Sequence, residues 1–199
     1  MPEFSLALQR SIHVLRLESE DGTNRLTRRR VLALTDEIGR LARQASGARG
    51  ETIAGLVIAG NARFFSAGAD LAEISVLDGP SAYEFSKMGQ ALMSAVADFP
   101  APVYAAIAGY CMGGGLDLAL ACHHRVASPH AIFGHRGAAL GLITGWGGTQ
   151  RLPRLIGKGR ALEMFVAAEK ITARHALDMG LIDALADDPI SEALQSLAH

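Results

Sequence analysis

The chain has 199 residues, of which 49% are hydrophobic and 20% charged, and its formal net charge is -1. This length can bury one good core, and the near-neutral charge argues against a nucleic-acid or anionic-membrane partner. No apolar run reaches the roughly 18 residues that a bilayer span needs. The two cysteines, Cys111 and Cys122, match no zinc motif or disulfide framework, so we expect reduced thiols and a cytoplasmic protein.

The first half of the chain predicts strands and long helices in alternation. Residues 5–17 partly alternate apolar and polar positions and predict one or two strands. From Thr27 onward, apolar residues recur at intervals of three and four, which predicts a helix that ends at Gly47 and Gly50. A buried strand and a second helix follow, over residues 56–59 and 80–98.

The second half continues this alternation. Further strands are predicted over residues 103–108, 125–127, 131–133 and 181–185, and helices over residues 114–123, 148–156 and 160–168. Thr172 is the expected N-cap of a short helix that Gly180 ends. The order of elements predicts one α/β domain over residues 1–199.

Two glycine-containing turns, 47 residues apart, each follow an apolar strand and carry the main functional signal. The first contains Gly68, and the second contains Gly113, Gly114 and Gly115. Glycine lets backbone N–H groups approach a ligand closely. Two such groups aimed at one point form a hole for a developing oxyanion, which predicts an enzyme. The serine-hydrolase elbow, the dinucleotide fingerprint and the phosphate-binding P-loop are all missing from the sequence.

These segments resemble the crotonase (enoyl-CoA hydratase/isomerase) superfamily. Residues 65–71 look like its first oxyanion loop, and residues 108–119 look like its second. The similarity runs from about Ile12 to Leu185 and so covers nearly the whole chain. The downstream pattern also fits, with Gly141-Leu142, Gly147-Gly148-Thr149-Gln150-Arg151-Leu152, Ile171-Thr172-Ala173, Ala176 and Gly180-Leu181-Ile182.

The resemblance implies an α/β fold made of a spiral of repeated ββα units. It implies a coenzyme A thioester as substrate and no metal or redox cofactor, with coenzyme A entering only as part of the substrate. It assigns the two oxyanion N–H groups to Ala67 and Gly114. It places the bound substrate along Asn24, Arg25, Leu26, Ala67, Gly68, Ala69, Asp70, Leu71 and Gly114. Arg25, with Arg29 or Lys158, would contact the phosphates.

Asp117 is the third catalytic candidate. It lies three residues after Gly114, which is about one helical turn. Hydratases of the superfamily place a glutamate here as the general acid/base, whereas an aspartate resembles the dienoyl-CoA isomerase branch. The alternative is a carboxylate that only stabilises the start of a helix through the dipole.

One departure from the hydratase pattern concerns the second catalytic glutamate. Gly137 stands at its position, and no Asp or Glu occurs from Ser128 to Gly159. The dihydroxynaphthoyl-CoA synthase branch also has glycine there, but Thr144 stands where the aspartate of that branch would be. His135 is either a base near the missing carboxylate or a structural histidine, and Trp146 either lines the acyl pocket or serves packing alone.

The sequence therefore predicts an enzyme that stabilises a thioester enolate, either an enoyl-CoA hydratase or a double-bond isomerase. The alternative is a crotonase-like module that binds acyl-CoA or a protein without turnover, because Gly137 replaces the second carboxylate. By resemblance we expect a homotrimer or a dimer of trimers. We also expect a shortened C-terminal helical region, since little sequence follows residue 185.

Overall fold

The computed structural model describes residues 2–46 and 53–198. The strands are β1 Phe4–Gln9, β2 Ile12–Leu17, β3 Gly55–Ala59, β4 Phe64–Ser66, β5 Val103–Ile107, β6 Tyr110–Met112, β7 His124–Ala127, β8 Ile132–Gly134, β9 Ile171–Thr172 and β10 Ala184–Leu185. The helices are α1 Arg28–Ser46, α2 Leu71–Ile74, α3 Gly79–Ala97, α4 Gly114–Ala121, α5 Gly148–Ile156, α6 Lys158–Ala167, α7 Ala173–Asp178 and α8 Pro189–Leu197, with a 3₁₀ helix at Gly137–Leu140.

The strands form two sheets. The larger has the order β1-β2-β3-β5-β7-β10, and the smaller has the order β4-β6-β8-β9. Pairing is parallel except for β1 with β2 and β8 with β9. Three times in succession the chain adds one strand to the large sheet and one to the small sheet, and then enters a helical segment. This confirms the predicted spiral of ββα units and the α/β class.

The sequence pattern explains the layers. All five residues of β3 are buried, as expected for a parallel strand covered on both faces. The apolar stripe of α1, which includes Val31, Leu34 and Ile38, is buried, and this helix packs against α3. The side chains of Phe65 on β4 and Phe133 on β8 are fully buried in the main hydrophobic core.

Several elements differ from the predictions. The sequence did not predict the elements β4, α2 and β6. Each has only three or four residues, which is too few to show a hydrophobic period. The strand predicted over residues 181–185 shortens to β10, because the Leu181 N–H donates to Ala176 O at the end of α7. The predicted helix ends at Gly47 and Gly50 lie outside the described ranges.

The C-terminal helix α8 covers part of the large sheet. It contacts β3, β5 and β7, and Ala193 is fully buried against Val57 and Ala106. Gly55 permits this packing, because a Cβ there would lie 2.5 Å from Cδ2 of Leu197. Within residues 2–46 and 53–198, no helix combines the length and the apolar character needed to cross a bilayer.

Candidate active site

The candidate site lies where three neighbouring strands of the small sheet end. Residues 67–69 follow β4, residues 113–117 follow β6, and His135 follows β8. Because these strands are parallel and adjacent, their carboxyl ends share one edge of the sheet, where ligands of open α/β sheets commonly bind. A cavity of about 420 Å³ opens at this edge. Its apolar wall includes Leu71, Ile74, Leu77, Phe85, Leu142 and Trp146.

The second glycine turn places the start of α4 in this cavity. Gly113 adopts φ 50 and ψ -120 at the N-cap, where no side chain caps the helix. The first N–H groups of α4 therefore have no side-chain cap and form the positive end of the helix dipole. Gly114 must be glycine because a Cβ would lie 2.6 Å from Cζ3 of Trp146 and 3.2 Å from the Ala69 nitrogen.

The first loop corrects one prediction. The Ala67 N–H donates to Thr23 O at 2.9 Å, so it points away from the cavity and does not serve as an oxyanion donor. Gly68 follows with φ 93, a conformation that glycine favours. Among the residues that the structure describes, none accepts a hydrogen bond from the Ala69 N–H, which lies beside Gly114. Gly68 is the feature of the sequence that indicated this difference in direction between the N–H groups of Ala67 and Ala69.

The predicted substrate contacts at residues 24–26 are only partly supported. Asn24 is fully buried, and its amide donates to Phe64 O and Phe65 O at 3.0 and 3.3 Å. Leu26 is also fully buried in the core. The side chains of Asn24 and Leu26 are therefore buried beneath the loop and do not line the cavity. The predicted course of the substrate along the backbone of residues 24–26 stays a prediction.

Arg25 differs from its neighbours because half of its side chain is exposed. Its guanidinium lies 3.3 Å from the Asp21 carboxylate and 3.8 Å from that of Asp70. Asp70 itself caps α2 by accepting hydrogen bonds from the Ala72 and Glu73 N–H groups. It is therefore a structural cap outside the cavity lining, whereas Ala67, Gly68, Ala69, Leu71 and Gly114 all line the cavity.

Asp117 is buried in the first turn of α4 and both of its carboxylate oxygens are hydrogen-bonded. Oδ1 lies 3.0 Å from Nε2 of His135, and Oδ2 accepts from the Thr144 hydroxyl. The side chains of Asp117 and His135 are 1% and 4% exposed. All three residues line the cavity, in which Asp117 is the one carboxylate among the described residues. The sequence suggested Asp117 and His135 separately and noted Thr144 only as a departure from one branch, and it did not predict that the three would be in contact.

Gly148 makes room for this contact at the start of α5. A Cβ at Gly148 would overlap Oδ1 of Asp117 and lie 3.0 Å from Nε2 of His135. Nearby, the His135 ring packs against Phe165, with centroids 5.1 Å apart. The glycine-rich segment at the start of α5 is therefore part of the site. In the sequence, this segment was recognised only as part of the pattern shared with the superfamily.

Gly137, which stands where the second glutamate was expected, has little room for a side chain. A Cβ there would lie 2.7 Å from Leu142 O. The Gly137 carbonyl also accepts a hydrogen bond from the Leu142 N–H at 2.9 Å, which closes the turn. The local backbone is thus built around a glycine at this position.

Trp146 forms a wall of the cavity. Its side chain is 3% exposed, its indole N–H donates to Phe85 O at 3.2 Å, and its ring centroid lies 5.3 Å from that of Phe85. Gly89 and Gly114 both leave space for the indole, since a Cβ at either position would collide with it. The tryptophan therefore contacts the same turn that carries the candidate oxyanion donor.

Neither cysteine is a candidate nucleophile. Both are buried as free thiols. Burial raises the pKa of the Cys122 thiol to about 12 and also raises the pKa of Cys111 well above its usual value. Within the described parts of the chain, no three His, Cys, Asp or Glu side chains come together as a metal site.

Comparisons with known proteins identify the family. The model of the enoyl-CoA hydratase/isomerase family matches residues 9–198. A probable enoyl-CoA hydratase of Bacillus subtilis is 46% identical over 142 residues, which are 69% of this chain and 55% of that protein. The chain thus spans about half the length of this curated relative.

Solved structures agree with this result. Pseudomonas aeruginosa DspI is 33% identical, with a TM-score of 0.91 over 100% of this chain and 80% of that one. An enoyl-CoA hydratase from Bacillus anthracis is 30% identical, with a TM-score of 0.90 over 99% of this chain and 76% of that one. The sequence match and these structural similarities together show that the chain belongs to the enoyl-CoA hydratase/isomerase family.

Proposed function

We propose that the protein acts on an acyl-CoA thioester and stabilises the enolate of that thioester. The N–H groups of Gly114 and Ala69 would hold the enolate oxygen, and Asp117 would act as acid/base. The observation that carries this proposal is the juxtaposition of the uncapped start of α4 with the Ala69 nitrogen, in a cavity that Asp117 also lines. The proposed chemistry uses no metal or redox cofactor, and coenzyme A is part of the substrate.

Electrostatics favours negative charge at this point. The first N–H groups of a helix carry partial positive charge, and α4 has eight residues to supply the dipole. Donors preorganised toward a developing oxyanion act most strongly where water is excluded. The buried carboxylate of Asp117 lies one turn along the same helix, so a proton acceptor and the anion hole share one rigid element.

The reaction would be enoyl-CoA hydration or double-bond isomerisation. Hydration needs a group that activates water and a route for a proton to the α-carbon, whereas isomerisation needs one proton to be moved between two carbons. A single carboxylate among the described residues of the cavity suits the second reaction, whereas the similarity to proteins named enoyl-CoA hydratases favours the first. A panel of 2-enoyl- and 3-enoyl-CoA thioesters, with the products identified by mass spectrometry and NMR, decides between them.

Arg25 is the proposed contact for a phosphate of coenzyme A, with Arg29 or Lys158 as further cations. The Arg25 side chain is half exposed and lies beside Asp70, which begins α2 at the edge of the cavity. Titration calorimetry should show weaker coenzyme A binding for Arg25→Ala. Arg10→Ala, in the turn between β1 and β2, is the matched control and should bind as the wild type does.

A second candidate function is a crotonase-like module that binds acyl-CoA or a protein without turnover. The observation that favours it is the tight turn at Gly137, which leaves no room for a second carboxylate. Acyl-CoA binding together with no product from any member of the thioester panel would support this alternative and contradict the enzymatic proposal.

We further propose that residues 1–199 form a single crotonase-like domain that assembles as a homotrimer or a dimer of trimers in the cytoplasm. Leu162 and Val166 on α6 support assembly, because they are 64% and 69% exposed and a second copy could cover them. Analytical ultracentrifugation at tens of micromolar tests the oligomer, and a stable monomer would contradict it.

A further inference from the structure

We propose that His135 is a catalytic residue, which exchanges a proton with the substrate through Nδ1 while Asp117 holds its Nε2. The pair would supply the proton-transfer group that is missing at Gly137. This inference rests on the proposed function, because it needs a thioester substrate in the cavity, but it assigns the direct transfer to the imidazole rather than to Asp117.

The hydrogen bonds of Asp117 point to this division of roles. Its two carboxylate oxygens are taken, one by His135 Nε2 at 3.0 Å and the other by the Thr144 hydroxyl. A carboxylate only accepts, so a neutral His135 carries its proton on Nε2 and keeps a lone pair on Nδ1. Among the described residues, none hydrogen-bonds Nδ1. Because the imidazole lines the cavity and Nδ1 is not fully enclosed by protein, the proposed proton transfer runs between Nδ1 and a substrate in the cavity.

The backbone around the pair preserves this contact. His135 follows β8 directly and is two residues from Gly137, so it lies beside the position of the absent glutamate. At Gly148 any Cβ would displace the contact between Asp117 and His135. Phe165 packs against the imidazole, with its ring tilted by 56°. An orienting carboxylate, an imidazole and an open nitrogen are the parts that proton-transfer pairs use.

The step is simplest on a saturated acyl-CoA. The Nδ1 lone pair takes a proton from the α-carbon, the C–H bond breaks, and its electron pair forms the enolate. The charge on the thioester oxygen is held by the N–H groups of Gly114 and Ala69. The imidazolium is stabilised by the Asp117 carboxylate. When Nδ1 returns a proton to the α-carbon, the thioester and the neutral imidazole are both restored. In deuterium oxide the returned proton becomes a deuteron.

Exchange of the α-protons of butanoyl-CoA in deuterium oxide, followed by NMR, tests the inference. His135→Gln keeps an amide donor for Asp117 but has no basic nitrogen, so exchange should slow by about 10²–10⁴-fold. His135→Ala should be equally slow and should regain part of its rate when imidazole is added. The control is His130→Gln, an exposed histidine after β7, which should exchange at the wild-type rate. Thermal unfolding and acyl-CoA titration confirm that each variant folds and binds.

The outcomes distinguish a failure of the inference about His135 from a failure of the proposed function. Slow exchange in both His135 variants, with imidazole rescue of the alanine variant, supports the inference. Wild-type exchange rates in folded His135→Gln or His135→Ala overturn it and leave Asp117 as the acid/base. Slow variants without rescue also contradict direct proton transfer by His135. A wild-type protein that binds butanoyl-CoA but exchanges no proton contradicts the proposed function itself, and the inference fails with it.

Discussion

Gly148 lies so close to Asp117 that any side chain at position 148 would occupy the space of the Oδ1 oxygen. The two residues come from different helices, α5 and α4, and are 31 positions apart in the chain. The same Cβ would lie 2.9 Å from Cγ2 of Thr144 and 3.0 Å from Nε2 of His135. Gly148, at the start of α5, thus leaves the space in which Asp117, at the start of α4, forms its hydrogen bonds with His135 and Thr144.

The first prediction follows from this contact. Gly148→Ala should separate Asp117 from His135 and reduce turnover, and it should lower the free energy of unfolding by about 1–3 kcal/mol through overpacking. Urea unfolding and the thioester assay provide the measurements. Gly159→Ala is the matched control, because a Cβ there meets no atom within 4 Å, so it should be neutral or stabilising. Full activity of Gly148→Ala would show that the cluster is not needed.

The second prediction concerns Asp117. Asp117→Asn keeps the size of the side chain but replaces one accepting oxygen by an amide donor. The rate should fall by about 10²–10⁴-fold while acyl-CoA affinity changes little. Steady-state kinetics and calorimetry measure the two quantities separately. A variant with full activity would reduce Asp117 to a carboxylate that stabilises the start of α4.

The third prediction concerns Gly137. Analogy with the hydratases suggests that Gly137→Glu would restore a second carboxylate and increase hydration. The structure leads us to expect no gain, because the new Cβ would lie 2.7 Å from Leu142 O and would displace the turn. Its free energy of unfolding should fall by about 1–3 kcal/mol. Ala138→Glu, one residue further along the 3₁₀ helix and exposed, serves as the control and should be close to neutral. A clear rise in hydration for Gly137→Glu would contradict this expectation.

The fourth prediction distinguishes the two backbone N–H groups of the first loop. Incorporating lactic acid in place of Ala69 replaces the N–H by an ester oxygen and keeps the methyl side chain. Loss of one oxyanion donor should reduce kcat by about 10²–10³-fold. The same replacement at Ala67 removes the hydrogen bond to Thr23 O, so it should lower stability with a much smaller effect on kcat. The reverse pattern would restore Ala67 as the donor.

The fifth prediction concerns the acyl cavity. Trp146→Phe removes one ring of the indole and its hydrogen bond to Phe85 O, which opens space beside Gly114. The ratio of kcat/KM for longer acyl chains to that for shorter chains should rise. Kinetics over a series of straight-chain enoyl thioesters measures this ratio. An unchanged ratio would mean that the acyl chain does not reach the tryptophan.

The sequence by itself determined the class of fold and most of the longer strands and helices around the site, but not the short strands β4 and β6 that lead into its loops. The apolar strand before each glycine turn, the amphipathic period of α1 and the N-cap Thr172 are local signals, and the structure contains each of these elements. The resemblance of the loop motifs to the crotonase superfamily then predicted the spiral of ββα units. Local chemistry was enough here, because strand, helix and cap preferences depend on residues close together in the chain.

Only the tertiary structure decided which groups meet. The direction of a loop N–H depends on which acceptor the tertiary packing brings to it, and so Ala67 donates to Thr23 while Ala69 remains beside Gly114. Asn24 is buried where its amide donates to the Phe64 carbonyl of β4, and Leu26 is buried in the main hydrophobic core. The contact of Asp117 with His135 joins two elements 18 residues apart and requires the bare backbone of Gly148 on a third. Such contacts depend on how parallel strands bring their carboxyl ends to one edge, which no local pattern in the sequence encodes.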